Sequence, residues 1–152
     1  MTAILDYGVG NLFSLKSSFA AIGVDVIVTG DENVLKEADR IILPGVGAFE
    51  DAARKLRESG LDVVLKEEAA KGKPIMGICL GMQLLFEKSY EYGCHKGLGL
   101  LPGSIVPISN VAPKEYKIPH IGWNALTIKK DSPIMKYVND GDCVYFVHSF
   151  YA

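Results

Sequence analysis

Four short apolar runs in the first half of this sequence alternate with segments of helical periodicity. The runs cover residues 2–5, 24–28, 40–43 and 74–78. Between and after them, apolar residues recur at helical spacing in the segments 12–22, 34–35, 49–56, 61–69 and 82–86. The predicted order is βαβαβααβα, which is typical of an α/β fold whose parallel sheet is covered by helices on both faces.

The second half of the sequence has a different pattern. We predict strands at residues 104–108, 125–128 and 143–147, and little helix except around residues 133–138. We interpret these strands as an antiparallel extension of the sheet. The β-prone segment 143–151 has no following helix or polar tail to cover it, so we also expect the sequence to be shorter than the fold that it encodes.

Composition narrows the classes of protein that this chain can belong to. The 152 residues are 49% hydrophobic and 22% charged, with a formal net charge of −2. We therefore expect a single globular domain over residues 1–152 and no non-specific binding of nucleic acid. No apolar run reaches about 18 residues and no secretory signal begins the chain, so we expect no membrane span. Charged runs such as Glu67-Glu68 and residues 129–131 are expected on solvated faces.

Three cysteines, at positions 79, 94 and 143, make an odd count. Without a secretory signal, this predicts reduced thiols and a cytoplasmic location. The cysteine and histidine spacings do not match a zinc site, so no metal is expected. Cys94 and Cys143 lie in no catalytic pattern and are expected to be structural.

The pentapeptide Gly77-Ile78-Cys79-Leu80-Gly81 is the strongest functional signal. It has the form Gly-x-Cys-x-Gly between a predicted strand and a predicted helix, which is the thiol version of a nucleophile elbow. The glycines would allow neighbouring backbone to approach where a Cβ would collide. The helix N-terminus would favour the thiolate, and the N–H of Leu80 would be free to donate to an oxyanion.

A second glycine cluster, Pro44-Gly45-Val46-Gly47, also follows a predicted strand and precedes a predicted helix. In a parallel sheet this places it at the same carboxyl edge as Cys79, where such folds bind ligands. Its backbone N–H groups are candidates to hold an anionic oxygen. The Gly8-Val9-Gly10 segment at this edge lacks the third glycine of a dinucleotide-binding fingerprint, so no cofactor is expected.

With these motifs, the chain resembles the class I glutamine amidotransferases, which use a cysteine nucleophile. Within that family it is similar to the branch that serves imidazole glycerol phosphate synthase. The resemblance runs over essentially the whole chain and depends on the segments 6–12, 43–49, 77–86, 119–124 and 145–151. It implies a three-layer, flavodoxin-like fold with a mostly parallel central sheet.

The resemblance also implies an activity and a set of site residues. Glutamine would be hydrolysed to glutamate and ammonia through a thioester on Cys79. The ammonia would pass to a separate (βα)₈-barrel cyclase subunit in histidine biosynthesis, so a heterodimer is expected. The implied oxyanion donors are Gly45, Val46, Gly47 and Leu80; the implied glutamine contacts are Gln83, His148, Ser149 and Phe150; the implied partner contacts are Asn11, His120, Gly122, Trp123 and Asn124.

The family completes its catalytic triad with a His-Pro-Glu motif that does not occur in these 152 residues. A thiolate can attack without its base, but the leaving amine needs a proton donor. We therefore expect negligible steady-state glutaminase activity from this chain as it stands. His148 is a candidate surrogate base, although a structural role is more common for such a histidine. Trp123 fits a contact surface and the core equally well.

Three other functions stay open at this point. The first is an amidotransferase of the same class that serves another synthase, which the segment 119–124 disfavours. The second is a non-catalytic binding or assembly module, which would leave Cys79 unlabelled by a glutamine-like electrophile. The third is an unrelated α/β hydrolase with a thiol nucleophile, which would turn over esters without a preference for glutamine.

Overall fold

The computed structural model describes all residues from 1 to 152 and divides into two compact units. The first unit comprises Met1–Val106 together with Ala152, and the second comprises Pro107–Tyr151. In chain order, the helices and strands are β1 (Thr2–Leu5), α1 (Leu12–Ala21), β2 (Val26–Thr29), α2 (Glu32–Glu37), β3 (Arg40–Leu43), α3 (Phe49–Glu58), α4 (Leu61–Ala70), β4 (Ile75–Gly77), α5 (Leu80–Leu84), β5 (Phe86–Ser89), β6 (His95–Lys96), β7 (Leu101–Pro107), β8 (His120–Ala125), β9 (Cys143–His148) and β10 (Phe150–Tyr151).

A parallel sheet forms the centre of the first unit. Its strand order is β2-β1-β3-β4, and every neighbouring pair is parallel. All four residues of β1 are buried, as expected for a strand that is covered on both faces. The predicted α/β class and the order βαβαβααβα are confirmed. The carboxyl ends of β1, β3 and β4 lie at one edge of this sheet, and the loops that follow them carry the glycine motifs.

Helices α3 and α4 bury the apolar faces that their spacing predicts. Leu56 of α3 and Leu65 of α4 are almost completely inaccessible to solvent. Glu68, however, is buried, so the prediction of a solvated Glu67-Glu68 face is wrong at this position. The Glu68 carboxylate forms ion pairs with Lys71 and Lys73, which compensates its loss of hydration.

Helix α5 is shorter than its apolar spacing predicts. It ends at Leu84, and Phe86 begins strand β5, although the sequence favoured a helix through Phe86. The cause is a competing set of backbone donors. The carbonyl oxygens of Leu84 and Leu85 accept hydrogen bonds from the N–H groups of Leu98 and Leu100, each at 2.8 Å. Carbonyls that are engaged with a distant loop do not extend the helical ladder.

Strand β5 belongs to a second, mixed sheet in the first unit. It pairs parallel with β7 and antiparallel with β6. Strand β7 (Leu101–Pro107) includes most of the strand predicted at residues 104–108 and begins three residues earlier. No helix of the chain is both long enough and apolar enough to cross a lipid bilayer.

The second unit contains the antiparallel pair β8 and β9, which forms a two-stranded sheet of its own. The predicted strand at residues 125–128 is wrong, because β8 instead covers His120–Ala125. The Leu126 N–H still bonds to the Asp142 carbonyl at 2.8 Å, but the Ile128 N–H bonds to the Asp140 side chain at 2.6 Å, which ends the ladder. The helix predicted around residues 133–138 is one turn of 3₁₀ helix, Pro133–Met135.

Candidate active site

Cys79 lies at the turn between β4 and α5 with an unusual backbone conformation. Its φ is 56° and its ψ is −120°, and only one other non-glycine residue in the chain has a positive φ. Such a conformation is strained for a residue with a Cβ, and it persists where surrounding packing enforces it. The side chain is exposed. A strained strand-to-helix turn that presents an exposed thiol is the geometry of a nucleophile elbow.

Glycines allow the elbow to pack closely against the neighbouring strand-to-helix loop. A Cβ on Gly81 would collide with the Leu43 carbonyl oxygen and lie 2.9 Å from the Pro44 carbonyl carbon. A Cβ on Gly45 would lie 2.6 Å from the Gly81 nitrogen, and one on Gly77 would lie 2.7 Å from the Gly81 carbonyl carbon. The structure therefore confirms the close backbone approach predicted for these glycines. It also brings the loop that follows β3 into contact with the elbow.

Backbone donors are available on both sides of this contact. The N–H groups of Gly45, Val46, Gly47 and Leu80 donate no hydrogen bond within the chain. Gly47 has a φ of +89°, which a residue with a Cβ would adopt only with strain, and Val46 is exposed. Amide groups without internal acceptors beside an exposed thiol are suited to hold a developing oxyanion.

Two side chains from outside the motif contact the ends of this loop. The Tyr7 hydroxyl donates to the Pro44 carbonyl oxygen at 2.8 Å, and the Phe49 N–H donates to the Glu91 carboxylate at 2.7 Å. The sequence analysis missed Tyr7 and Glu91 as site residues. Glu91 is 42 positions from Phe49, and no local spacing signals that contact.

Two further candidates lie in the first unit. Gln83 is on α5, one turn after Cys79, and is half-buried. Asn11 is exposed, and its side-chain oxygen accepts a hydrogen bond from the Ser14 N–H at 3.2 Å. Asn11 therefore caps the N-terminus of α1, which is a local role that the resemblance did not imply.

The remaining candidates lie in the second unit. His120 and His148 are opposite each other on β8 and β9, with 3.0 Å between His120 Nδ1 and His148 Nε2. The Phe150 carbonyl oxygen can only accept, so the hydrogen bond at 2.9 Å requires that His148 Nδ1 carries a proton. His120 Nε2 lies 2.9 Å from the Asn124 side-chain oxygen. His148 is thus held by a complete set of partners.

Trp123 is 69% exposed, so it is not a core residue. It contacts Tyr145 edge to face, with 5.5 Å between the ring centroids. Ile121 and Val147, the adjacent cross-strand pair, are also exposed. One face of this two-stranded sheet therefore presents an apolar and aromatic surface. Gly122 lies between Ile121 and Trp123 in β8.

All three cysteines are free and exposed. Cys94 and Cys143 are therefore not buried packing residues. Neither has a positive φ or stands between two glycines. The backbone geometry at Cys79 is what distinguishes it from the other two thiols.

The sequence matches the family model "Glutamine amidotransferase class-I" over residues 3–152. This chain belongs to the class I glutamine amidotransferases. The matched region covers both compact units and includes every candidate residue described above. Membership in this amidotransferase family agrees with the predicted family and enzyme class.

Curated amidotransferase relatives are similar over nearly the whole chain. The imidazole glycerol phosphate synthase subunit HisH of Caldanaerobacter subterraneus is 51% identical over 151 residues, which cover 99% of this chain and 72% of that protein. The subunit of the same name from Aquifex aeolicus is 51% identical over 150 residues, covering 98% of this chain and 70% of that protein.

Solved structures support the amidotransferase fold. A structure described as "Crystal structure of glutamine amidotransferase" aligns with a TM-score of 0.73 at 16% identity, over 96% of this chain and 70% of that one. The "Structure of PurLQS from Thermotoga maritima" aligns with a TM-score of 0.64 at 22% identity, over 98% of this chain and 66% of that one. At these identities the likeness concerns the fold, and the predicted fold class is confirmed.

Proposed function

We propose that this chain is the glutaminase subunit of an imidazole glycerol phosphate synthase. The reaction of that subunit is hydrolysis of glutamine to glutamate and ammonia, and the ammonia serves a cyclase subunit in histidine biosynthesis. These 152 residues carry the nucleophile of that reaction but no His-Pro-Glu segment. The observation that carries the proposal is the exposed Cys79 in its strained turn, packed against a glycine loop with unpaired amide donors. Family membership and relatives at 51% identity support the choice of glutamine and of this synthase.

In the proposed reaction, the Cys79 thiolate adds to the carboxamide carbon of glutamine. The carbonyl oxygen becomes an oxyanion, which the N–H of Leu80 and those of residues 45–47 stabilise. When this intermediate collapses, the carbon–nitrogen bond breaks and ammonia leaves after its nitrogen accepts a proton. In the family, the triad histidine of the His-Pro-Glu motif gives this proton, so its absence from the 152 residues is expected to stop turnover at this step. Water then attacks the thioester, which releases glutamate and restores the thiol.

We propose that Gln83 contacts the bound glutamine in the first unit. It is half-buried and lies one helical turn from Cys79, and this placement supports that role. In the second unit, we assign His148, Ser149 and Phe150 to the same ligand by family resemblance. This assignment depends on the resemblance alone, because both ring nitrogens of His148 already have partners within the second unit, His120 and the Phe150 carbonyl oxygen.

The partner in this proposal is the cyclase subunit, with a (βα)₈-barrel fold. The proposed partner contacts are Asn11 in the first unit and His120, Gly122, Trp123 and Asn124 in the second. The exposed aromatic surface around Trp123 and Tyr145 supports the second group, because exposed aromatic residues are enriched at interfaces. We further propose one amidotransferase domain over both units, since one family model spans them, and a cytoplasmic location, which the free thiols support.

Selective covalent labelling tests the proposed nucleophile. The 152 residues contain no His-Pro-Glu segment, so the assay follows the first chemical step, and we expect negligible steady-state ammonia release. A chloroketone analogue of glutamine is expected to add one adduct, at Cys79, and Cys79→Ser should abolish it. Iodoacetamide, which does not resemble glutamine, is expected to label all three exposed thiols.

The other two cysteines supply the matched controls for this experiment. Cys94→Ser and Cys143→Ser are expected to leave the chloroketone adduct unchanged. Equal chloroketone labelling of the three thiols, or a Cys79 that reacts with iodoacetamide and never with the chloroketone, would contradict the proposal. The second outcome would favour a non-catalytic assembly module of the same family.

A further inference from the structure

The segment 45–48 needs support from outside itself, because its functional amides cannot bond to neighbouring strands. The N–H groups of Gly45, Val46 and Gly47 have no acceptor in the chain. A loop that leaves its donors free for a ligand gives up the hydrogen bonds that would otherwise hold it in place. Its position is therefore set by the contacts at its two ends.

Tyr7 holds the end nearest to β3. Its side chain is 7% exposed, and its hydroxyl donates to the Pro44 carbonyl oxygen at 2.8 Å. Burial raises the pKa of Tyr7 above its ordinary value, so the phenol keeps its proton and remains a donor at neutral pH. Gly10 packs against the same proline, since a Cβ on Gly10 would lie 2.9 Å from Pro44 Cβ.

Glu91 holds the end nearest to α3. Its carboxylate accepts the Phe49 N–H, the first helical N–H of α3, at 2.7 Å. The N-cap residue, Ala48, has no side chain that can do this. A carboxylate also interacts favourably with the positive end of the helix dipole. Glu91 lies in the segment after β5, so this cap comes from a different part of the chain.

We propose that Tyr7 and Glu91 are positioning residues that together hold the segment 45–48 against the Cys79 elbow. They act through Pro44 and Phe49, and they keep the free amides in register with the thiol. The packing of Gly45 against the Gly81 nitrogen is the result of this placement. The inference rests on the proposed function, since it assigns those amides to the oxyanion.

Alkylation rates of Cys79 test the proposal in Tyr7→Phe and Glu91→Ala. The glutamine-like chloroketone develops an oxyanion when the thiolate adds to its carbonyl, whereas displacement of iodide from iodoacetamide does not. The limiting alkylation rate with the chloroketone is expected to fall at least tenfold in each variant, because one oxyanion donor is worth about 10²–10³ in rate. The rate with iodoacetamide should change less than about twofold.

Two control variants separate positioning from general damage. Glu91→Gln keeps a side-chain oxygen that can accept the Phe49 N–H, so it should retain most of the chloroketone rate. Glu87→Ala removes a carboxylate that accepts the Gly103 N–H at 3.0 Å, which is a similar contact outside the loop. It should leave both alkylation rates unchanged.

Amide hydrogen exchange measures the hydrogen bond between the Phe49 N–H and Glu91 directly, without an alkylating reagent. Glu91→Ala should increase exchange at Phe49 at least tenfold, and Glu91→Gln should not. The proposal is overturned if chloroketone rates in Tyr7→Phe and Glu91→Ala equal that of the parent chain, or if only the half-saturating reagent concentration rises. It is also overturned if Phe49 exchange is unchanged in Glu91→Ala. If the parent chain does not react with the chloroketone, the proposed function fails. Exchange at the Phe49 N–H then still tests whether Glu91 holds this end of the loop.

Discussion

Replacing Gly81 by alanine should destabilise the protein, although the same change in an ordinary helix stabilises it. Gly81 lies in the first turn of α5, and its φ is not positive, so its backbone conformation does not oppose alanine. Helix propensity alone favours alanine over glycine by about 1 kcal/mol. Steric collision opposes the substitution, because the added Cβ would lie 2.7 Å from the Leu43 carbonyl carbon and 2.9 Å from the Pro44 carbonyl carbon.

The magnitude follows from these two opposing effects. Overpacking a closely packed site costs about 1–3 kcal/mol, and the atoms in the way belong to backbone that cannot rotate aside, so we take the upper end. Subtracting the propensity gain leaves a net loss of about 2 kcal/mol in the free energy of unfolding. For a chain of this length, about 1 kcal/mol shifts Tm by about 2–4 °C, so Tm should fall by about 4–8 °C.

Thermal and urea unfolding followed by circular dichroism measure this loss. Gly60→Ala is the control, because Gly60 has a φ of +74° and open space around it. It should cost only about 1 kcal/mol, from backbone strain without any collision. A Gly81→Ala variant that is as stable as the parent chain, or more stable, would show that the elbow does not pack against the β3 loop as the structure describes.

Three further predictions concern packing, pH and the exposed surface. Leu65→Ala should destabilise the first unit by about 2–5 kcal/mol in urea unfolding, because the side chain is fully buried. Hydrogen bonds from Lys71 and Lys73 lower the pKa of Glu68, so its stabilising contribution is present above about pH 4.3 and is lost as the pH falls through the folded-state pKa. Glu68→Gln should therefore reduce the pH dependence of the urea midpoint between pH 6 and pH 3, and an unchanged dependence would contradict this. Trp123→Ala should change stability by less than about 0.5 kcal/mol but weaken cyclase binding by tenfold or more in titration calorimetry.

The periodicity of the sequence predicted the first half of the fold well, for a local reason. Buried parallel strands require continuous apolar runs, and the helices between them require amphipathic spacing. The residues within each element therefore suffice to predict β1, β3, α3 and α4. The Gly-x-Cys-x-Gly pattern predicted the elbow for the same reason. A sharp turn with close backbone approach leaves few residues other than glycine on either side of Cys79.

The failures lie where distant segments compete for the same groups. Helix α5 ends early because residues after β6 occupy the carbonyls that the helix would use. Glu68 is buried because two lysines compensate its charge. Strand β8 begins at His120, whereas the apolar residues at 125–128 predicted a strand there. Pairing with β9 sets the position of β8, and the local apolar content does not reveal that pairing.

The order of strands and helices from β1 to α5, the position of the reactive thiol and the family were therefore determined by the sequence alone, because each depends on neighbouring residues. The supports of the glycine loop were decided only by the tertiary structure. Tyr7 bonds to Pro44, 37 residues away, and Glu91 bonds to Phe49, 42 residues away. No periodic pattern in the sequence predicts a hydrogen bond between such distant positions. These contacts exist only once the first unit has folded and its two sheets have brought the loops after β1, β3 and β5 together.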